Sequence, residues 1–118
     1  MLKVPDNIVI YVALSPIDMR KSIDGLLMLV LEQLSINPKD GGVFLFCNRG
    51  RNKVKGLYWD KNGFVLIYKR LEQGRFIFPR DVHEDHIKIG VEELNWLLAG
   101  FHFTKMTAYP ELNFKNYF

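Results

Sequence analysis

Ile8, Ile10, Val12 and Leu14 alternate with Val9, Tyr11 and Ala13, a run apolar on both faces that predicts a first strand set deep in a sheet. Ser15-Pro16-Ile17-Asp18 then carries the marks of a helix start. It offers a hydroxyl for the N-cap, a proline at the first helical position and an acid at the place of a capping box. Behind it Met19, Ile23, Leu26, Leu27, Val30 and Leu34 fall on one stripe, so one long helix is expected over about 16–34. Gly25 inside that helix costs about 1 kcal/mol against alanine, which suggests a close approach of backbone to the sheet or to a partner. Asn37-Pro38-Lys39-Asp40-Gly41-Gly42 ends the helix in a loop.

The rest of the pattern reads as an antiparallel meander. Val43 to Cys47 and Lys53 to Trp59 are strands joined by the basic turn Asn48-Arg49-Gly50-Arg51-Asn52. Asn62-Gly63 is a strong two-residue hairpin signal, and Phe64 to Arg70 returns from it. Arg75 to Phe78 suggests a short edge before Pro79, and Gly90-Val91 opens a second, short helix with Leu94, Leu97 and Leu98 on one face and Gly100 closing it. The expected fold is therefore α+β: an antiparallel sheet packed against one long helix, with a short C-terminal helix. A single domain over 1–100 is expected, followed by a patternless aromatic tail over 101–118.

Composition changes this picture little, but charge changes it a good deal. The chain has 118 residues, 48% hydrophobic and 25% charged, enough for one ordinary core. The single cysteine, Cys47, excludes an intramolecular disulfide and fits a reducing compartment. No signal peptide is evident, and the longest apolar stretch, Leu26 to Leu31, is too short to span a bilayer, so a cytoplasmic protein without membrane contact is expected. The net charge of +3 is unevenly spread. Residues 49–80 hold nine basic residues and two acids, a net of +7, whereas the remainder holds seven and eleven, a net of −4. A chain polarised in this way suits an anionic partner.

The hairpin register sharpens the expectation. With Asn62-Gly63 as the turn, Trp59 faces Leu66, Leu57 faces Tyr68, Gly56 faces Lys69, and Lys55 faces Arg70. Arg49, Arg51, Lys53, Lys55, Lys69 and Arg70 then gather in one patch, with Tyr58 and Tyr68 available to stack beside them. Arg20 and Lys21 are possible outer contacts, although Arg20 also sits at i,i+4 spacing for a solvated pair with Asp24. The alternative reading of the patch is a sheet edge that uses lysine to block aggregation.

Other chemistry is weakly signalled. His83 and His86 lie three apart beside Asp81 without a second ligand cluster, Cys47 reads as a packed thiol, and no glycine spacing matches a phosphate loop. Nothing draws Asp18, Asp60 and Asp81 together into a metal-nuclease cluster. No catalytic residue, metal or cofactor is expected, and the chain reads as a binding protein.

Three ordered motifs carry a resemblance. They are Pro16-Ile17-Asp18-Met19-Arg20-Lys21-Ser22-Ile23-Asp24-Gly25-Leu26; then Phe46-Cys47-Asn48-Arg49 with Lys55 to Gly63; then Tyr68 to Phe76 with Phe78-Pro79. From about Val4 to Gly100 the chain resembles the TnpB accessory proteins, products of the second open reading frame of the insertion sequence sixty-six family of bacterial transposable elements. The resemblance implies an auxiliary factor for DNA transposition, encoded beside a separate transposase and without known catalytic activity. Its departures are Phe78 in place of a usual Trp, Asn52 in place of a common Asp, and Gly56 in place of a branched aliphatic, which weakens that strand and suggests a bulge. The leading expectation is contact with DNA phosphates, at or near the element's ends. The alternative is an adaptor that docks the transposase through the same basic face.

Overall fold

A computed structural model describes residues 8–77 and 84–99. Five strands form one sheet in the order β4-β3-β2-β1-β5, with β1 Ile10–Ala13, β2 Val43–Cys47, β3 Lys53–Asp60, β4 Gly63–Arg70 and β5 His86–Ile89. Helix α1 spans Ile23–Leu29 and continues as a π-helical turn over Val30–Leu34, while α2 spans Val91–Leu98. The α+β class holds. The all-antiparallel sheet does not, because β1 pairs with β2 in parallel. The reason lies in the connection: a helix between two neighbouring strands returns the chain to the end where it began.

All five residues of β2 are buried, as befits the middle strand of a sheet covered on both faces. On one face Phe44, Phe46 and Leu57 pack with Leu26, Val30 and Leu34 of the first helix. On the other, Val43, Leu45, Cys47 and Val54 pack with Phe76 and with Leu94, Leu97 and Leu98 of α2. Cys47 is a buried core residue, as its pattern suggested. Strand β5 falls on a segment to which the sequence pattern assigns no element. Arg75–Ile77 forms no strand, and instead the Phe76 amide donates to the Arg51 carbonyl at 2.6 Å. Phe78, His83, Gly100 and the 101–118 tail lie outside the described residues.

The first helix begins seven residues later than expected, and with its π turn it covers only 12 residues. Ser22, not Ser15, is the N-cap, and Leu26 donates to its carbonyl at 3.0 Å. Pro16 to Lys21 is held as a loop by other bonds. The Ile17 amide donates to the Cys47 carbonyl at 2.9 Å, and the Arg20 amide donates to Asp18 Oδ1 at 2.9 Å, so Asp18 closes a local turn instead of capping a helix. Gly25 approaches no sheet backbone. A Cβ there would meet only the Lys21 side-chain stem at 3.4 Å.

The hairpin turn is Lys61-Asn62, not Asn62-Gly63, with Asp60 opposite Gly63 and a positive φ of 54° at Lys61. The register is thereby displaced by two, which leaves every side chain on its expected face but changes its partner. Trp59 now meets Phe64 edge to face, with centroids 4.8 Å apart, and Gly56 faces Ile67. No bulge interrupts the ladder at Gly56. Its place is explained by crowding: a Cβ there would lie 2.7 Å from Ile67 Cγ1 and 3.2 Å from Leu45 Cδ2. Gly56→Ala is expected to lower unfolding free energy by about 1–3 kcal/mol through overpacking. In an Ile67→Ala background most of that cost disappears. Urea unfolding of the four variants checks this, and an equal cost in both backgrounds overturns it.

The basic end of the sheet as candidate functional site

The turn between β2 and β3 is organised by Asn48. Its Oδ1 accepts from the amides of Asn52 and Lys53, both at 3.1 Å, and its Nδ2 donates to Asn52 Oδ1 at 2.8 Å. Asn52 thus acts as acceptor within the turn, a role that an aspartate could also fill. Arg51 takes a left-handed φ of 60°, and Arg49 and Gly50 are exposed at the tip. Ile17 bridges to Asn48, which seats the 16–21 loop beside this turn, and a groove between them is lined by Ile17, Asp18, Asn48 and Arg49. On the other side the Leu71 amide donates to the Asn52 carbonyl at 2.8 Å, so the chain leaving β4 folds back beneath the same turn.

Lys55 ties the two motifs together. Its ammonium donates to the carbonyls of Met19 and Lys21, both at 2.6 Å. These oxygens belong to the segment that the sequence assigns to helix, and the lysine occupies them. Lys55 faces Tyr68, not Arg70, and its Nζ lies 5.8 Å from the Tyr68 ring centroid.

The expected patch is thus partly divided. Lys53 and Arg70 are directly opposed across β3 and β4, a like-charge pair that an anion relieves. Lys69 stands on the other face opposite Val54, where its Nζ donates to the Leu98 carbonyl at 2.9 Å and caps the end of α2. It does not join the patch. Tyr58 also lies on that other face and packs against the core. Arg70 forks onto Glu72 at 2.8 Å, and Arg20 pairs with Asp18 at 2.6 Å, not with Asp24. Lys21, Arg49, Arg51 and Lys53 make no ion pair with another described residue. Arg75, next to the Phe76 that bonds Arg51, adds a further charge at this end. Carboxylates approach the 16–21 loop from its other side: Asp85 pairs with His86 at 2.7 Å and shares a cleft of about 290 Å³ with Asp18 and Lys21. His86 thus has a carboxylate partner, and among the described residues no His, Cys, Asp and Glu group is arranged to hold a metal.

The sequence reading missed the Asp18–Arg20 pair and the loop it closes. The signal was present, since an Asp two residues ahead of an amide is an Asx-turn former as well as a capping acid. The Arg20 guanidinium, through its side-chain hydrogen bonds first and its amide second, holds the Asp18 carboxyl down at about 2. A carboxyl depressed in this way adds stability above its ordinary value of 3.8, and the gain is lost as pH falls through about 2. Carboxyl-carbon NMR is expected to show Asp18 ionised at pH 3 and titrating near 2, and Arg20→Ala returns it toward 3.8. An Asp18 titration that ignores that substitution overturns the assignment. Removing the Lys55 ammonium, as in Lys55→Met, is expected to free the loop. Tryptic cleavage after Arg20 and Lys21 then speeds by about tenfold or more, since both charge-assisted hydrogen bonds are lost, whereas an unchanged rate denies the tether.

Comparison with known proteins places these motifs. The model of a family described as IS66 Orf2 like protein matches residues 8–108, eight residues beyond Gly100 and so into the segment the sequence alone leaves unassigned. Two proteins of Sinorhizobium fredii are similar over most of their length. Uncharacterized protein y4jC is 36% identical over 101 residues, 86% of each chain. Uncharacterized protein y4hO is 35% identical over 100 residues, 85% of this chain and 86% of its own. No solved structure matches significantly.

Proposed function

The chain belongs to the IS66 Orf2-like family, and from that membership we propose that it is a non-catalytic accessory factor of transposition that grips DNA phosphates through the basic end of its sheet. The family is one of transposition-associated accessory proteins and not a known enzyme class. Among the described residues, no helix is long and apolar enough to cross a membrane.

The observation that carries the DNA reading is the gathering of Lys21, Arg49, Arg51 and Lys53 at one end, none of them paired with a carboxylate among the described residues. Such cations give sequence-independent phosphate contacts and position a duplex without reading its bases. Arg20 and Arg70 stand beside them in exposed pairs that a phosphate can open by competition. Lys55 acts behind the surface by holding the loop that carries Arg20 and Lys21, and Lys69 lies outside it.

The same basic end read as an adaptor docks an acidic surface of the transposase, with an apolar contact on α1 and its π turn added to it. That reading draws on Met28 and Leu31, which α1 and its π turn leave about half exposed and available to a protein partner. Unlabelled non-specific DNA displaces labelled DNA from a phosphate site, whereas it leaves a contact through Met28 and Leu31 in place.

Fluorescence anisotropy of a labelled duplex, titrated against salt, tests the DNA reading. Wild-type binding is expected to weaken steeply with salt, and Arg49→Ala with Arg51→Ala lowers the slope by about 2. Lys69→Ala leaves the slope unchanged. Absence of binding at low salt, or a slope indifferent to the two arginines, overturns the reading.

A further inference from the structure

Among the described aromatic side chains, Tyr68 is the one more than half open to solvent, at 55%. It stands on β4, the edge strand, on the face that carries α1, and it belongs to neither core cluster. Its neighbours are cationic. Lys55 lies opposite across the ladder, Arg70 follows two residues along the same face, and Lys53 is Arg70's partner and hence diagonal to the ring. The Lys55 ammonium lies over the ring, 5.8 Å from its centroid, and about half of the residue stays open to solvent.

An exposed ring beside a track of cations is the arrangement that holds unpaired bases. The ring offers its face to a base, and the cations hold the phosphates on either side. Bases inside a duplex are already stacked on one another and offer no free face to a side chain lying on a sheet. We propose that Tyr68 is a base-stacking platform, and that the DNA this end of the sheet prefers is single-stranded. Arg70 and Lys53 hold the backbone next to the stacked base. Lys55 supports the ring, with its own hydrogen bonds directed at Met19 and Lys21. The inference rests on the DNA reading above and narrows it from phosphate binding to one form of DNA.

The experiment uses the full chain, a short labelled oligothymidylate and a duplex of the same length at one salt concentration. Wild-type protein is expected to bind the single strand more tightly. Tyr68→Ala and Tyr68→Leu weaken single-strand binding by about tenfold, with duplex affinity and thermal midpoint unchanged. Tyr68→Trp retains the preference, since a larger ring still stacks. Leucine keeps an apolar cover over Lys55, so a loss confined to alanine identifies Tyr68 as packing only and overturns the proposal. An equal loss on both DNAs does the same. If single-strand binding ignores all three substitutions while the duplex is still bound, the stacking proposal fails and the phosphate reading stands. If neither DNA is bound, both fail.

Discussion

The arrangement of this molecule turns on one ammonium group. Lys55 projects from β3 and satisfies two main-chain carbonyls of a distant loop, those of Met19 and Lys21. A charged donor in a half-buried position must find acceptors, and carbonyls freed from helix need donors, so each solves the other's problem. The helix therefore starts at Ile23, the Asp18–Arg20 turn forms ahead of it, and the loop comes to rest beside Arg49. Two stretches far apart in sequence become one surface.

Charge at that surface is sorted by partner. Lys55 and Lys69 are both directed at main-chain carbonyls, one beneath the loop and one at the end of α2. Arg20 and Arg70 hold exposed carboxylates, and Lys21, Arg49, Arg51 and Lys53 hold none among the described residues. Sequence charge alone gives all eight equal standing. Geometry divides them into fasteners, exchangeable pairs and open cations, and only the latter two classes are available to a ligand.

Much of the fold was legible. β2, β3, β4 and α2 fall within a residue or so of where periodicity and glycine placement put them, because strong alternation and apolar stripes report burial directly. The helix start was misread because Ser15, Pro16 and Asp18 suit an Asx turn as well as a cap, and the choice between them is made by Lys55, thirty-odd residues away. The hairpin register was misread because Lys61-Asn62 and Asn62-Gly63 close equally short loops. What decides is the side-chain packing of Trp59 on Phe64 and of Ile67 over Gly56. Strand β5 was missed because His86-Ile87-Lys88-Ile89 is brief and follows a polar run, and its strand character comes from lying against β1.

The sheet order also bears on what the surface costs to assemble. β2, β3 and β4 are neighbours in the chain as well as in the sheet, so their ladders close over short loops. β1 must instead reach β2 across the whole helical connection, and β5 pairs Ile10 with Ile89 from the other end of the described chain. Contacts of such long span carry the larger closure entropy. The Pro16–Lys21 loop follows β1 and reaches Lys55 across a comparable span. The hairpins close over short loops, whereas the joined basic surface depends on contacts of long span.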